Sequence, residues 1–90
     1  MPTTPAGLTL YQTLTCPYCA YVRDAAAGLG LALAARDTGT DDVAHEELFA
    51  ARGRGTVPVL RIEHPGGRVE WMPESRDIVR YLRARFATTD

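Results

Sequence analysis

The sequence predicts an α/β domain: a four-stranded mixed sheet flanked by three helices, in the order β-α-β-α-β-β-α. Four observations lead there. Hydrophobic residues make up 46% and charged residues 23% of the 90-residue chain, which is ordinary globular usage. A chain of this size buries roughly 60% of its unfolded surface, enough for one core. Apolar residues alternate in strand-like runs and recur at helical spacing in the segments between them. Clusters of Gly and Pro punctuate the joints. There is no internal repeat, linker or low-complexity stretch, so a single domain over 1–90 is expected.

Residues 1–7 (Met-Pro-Thr-Thr-Pro-Ala-Gly) read as a flexible leader. Leu8 to Gln12 alternates and forms strand 1. Thr15 offers an N-cap, and Pro17 suits the first helical position, where its missing N–H costs nothing. Helix 1 is expected over Pro17 to Leu29, with Ala20, Val22, Ala26, Ala27 and Leu29 on its apolar side and Gly28 and Gly30 marking its end. Leu31 to Arg36 forms strand 2, with Leu31, Leu33 and Ala35 on one face. Asp37 to Asp42 is a polar turn. Val43 to Arg52 forms helix 2, with Leu48 and Phe49 inward and Gly53 as the stop. Val57 to Ile62 forms strand 3, where Pro58 indicates an edge position or the strand's first residues. His64-Pro65-Gly66-Gly67 is a turn, and Arg68 to Met72 is strand 4. Pro73-Glu74-Ser75 opens helix 3, which runs to about Phe86 on a stripe of Ile78, Val79, Leu82 and Phe86. The opening β-α-β unit implies a parallel pair with a right-handed crossover. The closing hairpin adds antiparallel strands, which makes the sheet mixed.

The formal net charge is −1, which excludes a nucleic-acid module driven by counterion release. The longest run free of charged and polar side chains, Ala25 to Ala35, is far short of the roughly 20 residues of a membrane helix. The N-terminus has neither a basic nor an apolar signal region, so a cytoplasmic location is expected. All ten basic side chains are Arg, so no lysine is available for Schiff-base or general-base chemistry.

The two cysteines form one motif, Cys16-Pro17-Tyr18-Cys19. A structural zinc site needs four ligands, and two scattered histidines, His45 and His64, make a poor complement, so no metal site is expected. A disulfide across three residues closes a tiny loop and removes little chain entropy. Its value lies in being made and broken. Between a strand and a helix, C-x-x-C reads as a redox dithiol. At the helix mouth, backbone N–H groups and the macrodipole favour the Cys16 thiolate, and such thiols titrate at about 3.5 to 7.5. Cys19, one turn further in, suits the resolving role. Arg23, two turns along the helix, reads as a solvated charge. Arg76, Arg80 and Arg83 read as a solvated stripe, Trp71 and Met72 as packing, and His45 and His64 as exposed polar residues.

With Cys16-Pro17-Tyr18-Cys19 after a first strand, Thr56-Val57-Pro58 before a third and Glu74-Ser75-Arg76-Asp77-Ile78 opening the last helix, the chain resembles the dithiol glutaredoxins. More loosely, it resembles the N-terminal domain of glutathione transferases, whose version of the last-helix start is Glu74-Ser75. The resemblance spans residues 8–86. It implies a thioredoxin-like fold, with Cys16 as the attacking, glutathionylated cysteine and Cys19 as the resolving one. It implies a cis peptide at Pro58 facing the sulfurs and backbone pairing of Val57 with the cysteinyl part of glutathione. It also implies that Glu74 and Ser75 hold the γ-glutamyl end and that Tyr18 lines the groove. Unpartnered N–H groups at the start of helix 3 suit a carboxylate. Many glutaredoxins carry Lys where Thr13 stands, and Arg52 or Arg54 are candidates to replace its contact with the glycyl carboxylate. With one domain over 1–90, a transferase's helical second domain is not expected.

The expected function is therefore glutathione-dependent reduction of mixed disulfides and protein disulfides by a monomer. Glutathione or another small thiol is the co-substrate, and no cofactor is tightly bound. Two rivals are a [2Fe–2S] cluster shared through Cys16 and external thiols, and a redoxin served by a flavin-dependent reductase or another small thiol.

Overall fold

A computed structural model describes residues 2–87 of the chain. The elements are β1 (Leu8–Gln12), α1 (Pro17–Gly28), β2 (Ala34–Asp37), α2 (Asp42–Arg52), β3 (Val59–Glu63), β4 (Val69–Pro73) and α3 (Ser75–Phe86). The sheet order is β2-β1-β3-β4. β1 runs parallel to β2, and the β1–β3 and β3–β4 pairs are antiparallel. This is the thioredoxin-like mixed sheet.

Both faces of the sheet are covered, so its strands feed two cores. Leu8 and Leu10 of β1 lie opposite Ile62 and Leu60 of β3. These four pack with Val22 and Ala26 of α1 and with Ile78, Val79 and Leu82 of α3. On the other face Tyr11, opposite Val59, packs with Ala44 and Leu48 of α2. Trp71 closes this smaller core, its ring centroid 5.1 Å from that of Tyr11. Successive strand residues point to opposite faces, so the single segment Leu8–Tyr11 supplies both layers.

Several details differ from the sequence reading. The leader is docked: the Thr3 N–H donates to Gly30 O and the Ala32 N–H to Thr3 O, both at 2.9 Å, and Pro5 is buried. Gly30, at φ 77°, reverses the chain so that the Leu31 N–H returns to Ala26 O. Leu31 then bridges Thr3, and the β2 ladder begins only at Ala34. Helix α1 ends at Gly28, and Ala27 is exposed. In α2 the buried pair is Ala44 and Leu48, one turn apart, whereas Phe49 is 53% exposed. Pro58 is buried immediately before an interior strand, so no edge position is involved. Its missing N–H falls where no ladder bond is made. His64 is half-buried against Glu70, with 2.9 Å between Nε2 and Oε1.

Candidate functional site

Cys16, not Thr15, is the N-cap of α1. Its backbone is extended, Pro17 follows in the first turn, and its sulfur accepts the Cys19 N–H at 3.4 Å. A side-chain acceptor at this position satisfies one of the donors a helix start leaves unpaired. Both cysteines are free thiols, Cys16 half-buried and Cys19 fully buried. The Cys16 Sγ also lies 3.9 Å from Val57 O, which brings the loop before β3 across to the mouth of α1. The Val57–Pro58 peptide is cis.

The two thiols are driven apart. Burial opposes ionisation of Cys16, but hydrogen bonding from Cys19, the backbone N–H groups of Cys19 and Tyr18, and the charge of Arg23 together hold its pKa below the ordinary thiol value. Burial pushes Cys19 up to about 11, with the neighbouring Cys16 adding to the rise. Ionisation is thus favoured at Cys16 and disfavoured at Cys19.

Arg23 is more than a solvated charge. Its Nη1 donates to the Oε1 of buried Gln12 at 2.6 Å, which ties α1 to the end of β1. Only the tertiary placement of Gln12 reveals this; the helical spacing alone gives a surface position.

Beside the dithiol lies a groove of about 320 Å³, lined by residues of three separate segments. Tyr18 comes from α1, Val57 and Pro58 from the turn into β3, and Glu74 and Ser75 from the start of α3. The structure therefore brings together all four residues proposed from resemblance to touch glutathione. Arg52 and Arg54 also reach it, together with Thr56, Pro73 and Arg76. The Arg52 Nε is buried without a hydrogen-bond partner among the described residues. Gly55 allows the 53–57 loop to run this close to α2, since a Cβ there would sit 2.8 Å from His45 Cε1.

The far end of the groove is unusual in its backbone. Glu74, the residue before α3, has φ 72° and ψ 113°, and no side chain caps the helix. The first-turn N–H groups of α3 consequently have no side-chain acceptor, and the macrodipole favours an anion there. With Arg52, Arg54 and Arg76 against Glu74, the groove suits a zwitterion carrying more than one carboxylate. Sequence reasoning missed Thr56, Pro73 and Arg76 as lining residues. Among the described residues no group of three His, Cys, Asp or Glu could hold a metal ion, and no helix is long and apolar enough to cross a membrane.

Comparison with known proteins places this geometry. The family model for the glutathione S-transferase N-terminal domain matches residues 10–90. No curated protein matches the chain. Among solved structures, a trimeric glutathione transferase from Leishmania is 28% identical, with a TM-score of 0.72 over 89% of this chain and 18% of its own. Maleylacetoacetate isomerase from Anaeromyxobacter dehalogenans, solved with glutathione in its active site, is 31% identical, with a TM-score of 0.65 over 88% of this chain and 37% of its own. A glutathione transferase homologue from Drosophila mojavensis shares the fold at 21% identity, with a TM-score of 0.74 over 92% of this chain and 36% of its own. The chain thus spans between about a fifth and two fifths of the length of these relatives. The match falls on the transferase side of the resemblance, and the thioredoxin-like fold is as expected.

Proposed function

The chain belongs to the glutathione S-transferase N-terminal domain family, and from that premise we propose that it binds glutathione in the groove beside Tyr18, Val57 and Glu74–Ser75 and exchanges disulfides with it through Cys16. The observation that carries this reading is the Cys16 sulfur: it caps α1, accepts the Cys19 N–H and lies 3.9 Å from Val57 O. Val57 offers its backbone to the cysteinyl part of glutathione as an added strand would. The start of α3 takes the γ-glutamyl carboxylate, with Glu74 available to the ammonium group. Arg52 and Arg54 face the glycyl carboxylate.

The chemistry balances without a resident cofactor. The Cys16 thiolate attacks the glutathione sulfur of a mixed disulfide. The substrate–glutathione S–S bond breaks, and the substrate leaves as a thiolate that takes a proton from solvent. A second glutathione thiolate then attacks the glutathione sulfur on Cys16, which releases glutathione disulfide and regenerates the thiolate. With a protein disulfide, Cys16 forms the mixed disulfide. Cys19 then loses its proton to solvent and attacks the Cys16 sulfur, which breaks the Cys16–substrate S–S bond and releases the substrate as a dithiol; two glutathione molecules reduce the Cys16–Cys19 disulfide and leave as glutathione disulfide.

A second reading rests on the family match: in a transferase-type site the sulfur of glutathione itself is the nucleophile and the protein only activates it. One assay separates the two. Turnover of a glutathionylated peptide is followed through glutathione reductase and NADPH for wild type, Cys16→Ser and Cys19→Ser. Turnover that vanishes in Cys16→Ser and survives in Cys19→Ser supports the exchange mechanism. Cys16→Ser that still binds glutathione and conjugates an electrophile supports the transferase mechanism.

A further inference from the structure

We propose that the groove between α1 and α3 is a docking surface for an acidic, aromatic- or aliphatic-containing segment of the protein whose disulfide is exchanged; this rests on the exchange reading above and names its substrate class. Arg76, Arg80 and Arg83, spaced four and three residues apart, share one face of α3, and all three are exposed. None forms an ion pair among the described residues; the pairs present there involve Arg36, Arg61 and His64. These three arginines, with Tyr21 of α1 and Val79, wall a groove of about 240 Å³. Tyr21 is 44% exposed and Val79 is buried at its floor.

Its position gives this surface a task. Arg76 lines both this groove and the one beside the dithiol, so the two meet at its side chain. A chain whose modified cysteine sits at Cys16 can therefore lay its neighbouring residues along α3. Three unpaired guanidinium groups select carboxylates, each a fork that matches the carboxylate geometry. Tyr21 and the apolar floor accept a hydrophobic side chain between them, and exposed Tyr18 continues the apolar rim toward the thiol. The whole chain has a net charge of only −1, so this cationic track is a local feature of a nearly neutral chain and orients an acidic partner on approach.

The test compares two glutathionylated peptides of equal length, one with Asp, Glu and Phe beside the cysteine and one with Lys and Phe. The mixed disulfide of glutathione and 2-mercaptoethanol is the small control. The enzyme forms are wild type and the double variant Arg80→Glu/Arg83→Glu, which leaves Arg76 in place. Wild type is expected to prefer the acidic peptide in kcat/KM by about tenfold, as two or three exposed charge pairs allow. The double variant is expected to lose that preference and to keep its turnover of the small control. Equal kcat/KM for the two peptides on wild type overturns the proposal, as does a double variant that keeps the preference. Binding of a cysteine-free acidic peptide, read by fluorescence anisotropy, needs no redox chemistry. If no disulfide is turned over yet this peptide binds wild type and not the variant, the exchange reading fails and the docking surface stands. An oligonucleotide of equal charge that binds as tightly as the peptide overturns the assignment to a protein segment.

Discussion

Helices α1 and α2 begin with the same device and use it for different ends. At α2 the cap is Asp41, whose carboxylate accepts the Ala44 N–H at 3.1 Å. That carboxylate is also paired with Arg36, which bonds Glu47 at 2.7 Å while the Tyr11 hydroxyl donates to Glu47 at 3.2 Å. The result is a closed network of ion pairs that fastens α2 to the sheet. At α1 the cap is the Cys16 sulfur, which accepts the Cys19 N–H at 3.4 Å and lies 3.9 Å from the carbonyl of Val57. A carboxylate cap with its charge matched is inert. A sulfur cap whose surroundings favour the anion is, on the exchange reading proposed above, the nucleophile. The comparison shows that the unpaired donors of a helix start can be satisfied by structure or by reactivity, and that the neighbouring side chains decide which.

Breaking the α1 cap has the largest effect, and it falls on chemistry. Cys16→Ser keeps an oxygen acceptor at the cap, so Tm is expected to move by less than about 3 °C, while peptide deglutathionylation falls to the uncatalysed rate. A thermal melt beside the assay checks both halves.

Titration sharpens the contrast between the two sulfurs. Alkylation by iodoacetamide should label Cys16 at pH values below the ordinary thiol value of 9.0 and label Cys19 only as pH nears about 11. Mass mapping of the two sites against pH reads this directly. Stability follows with opposite signs. Between its lowered pKa and 9.0 the folded chain has lost the Cys16 proton that the unfolded chain still holds, so that group makes stability rise with pH. Between the ordinary value and about 11 the folded chain keeps the Cys19 proton that the unfolded chain has lost, so stability falls as pH rises.

Breaking the α2 cap has the smallest effect, and it falls on stability. Asp41→Ala should lower Tm by about 4–8 °C and leave the kcat of the small disulfide unchanged. A loss of turnover as large as that of Cys16→Ser would erase the distinction between the two helix starts.

The order of elements was legible because each left a periodic or punctuating mark in the chain. The misses have specific causes. Phe49 attracts attention as the larger apolar residue, yet the face of α2 toward the sheet is set by Ala44 and Leu48, whose spacing fits one turn. The run Leu31 to Leu33 looks like strand, but the chain must first turn at Gly30 and meet Thr3 before the β2 ladder begins. Docking of the leader depends on backbone groups that residues 26–32 present only once α1 has ended. At the site, the dithiol and its helix were readable from spacing, whereas Val57, Pro58, Glu74 and Ser75 came from family resemblance. The tie between Arg23 and Gln12 joins residues eleven apart across a strand–helix turn, and no local pattern encodes it.

The backbone at Glu74 carries a last consequence. A non-glycine residue at φ 72° costs on the order of 1–3 kcal/mol, and a glycine there would relieve it. Such a glycine would also release a pivot between β4 and α3 that the side chain now restricts, and the groove would lose part of its preorganisation. The N-terminus of α3 is thus held in place before any ligand arrives, so the entropy of ordering it is settled during folding and does not weigh against binding.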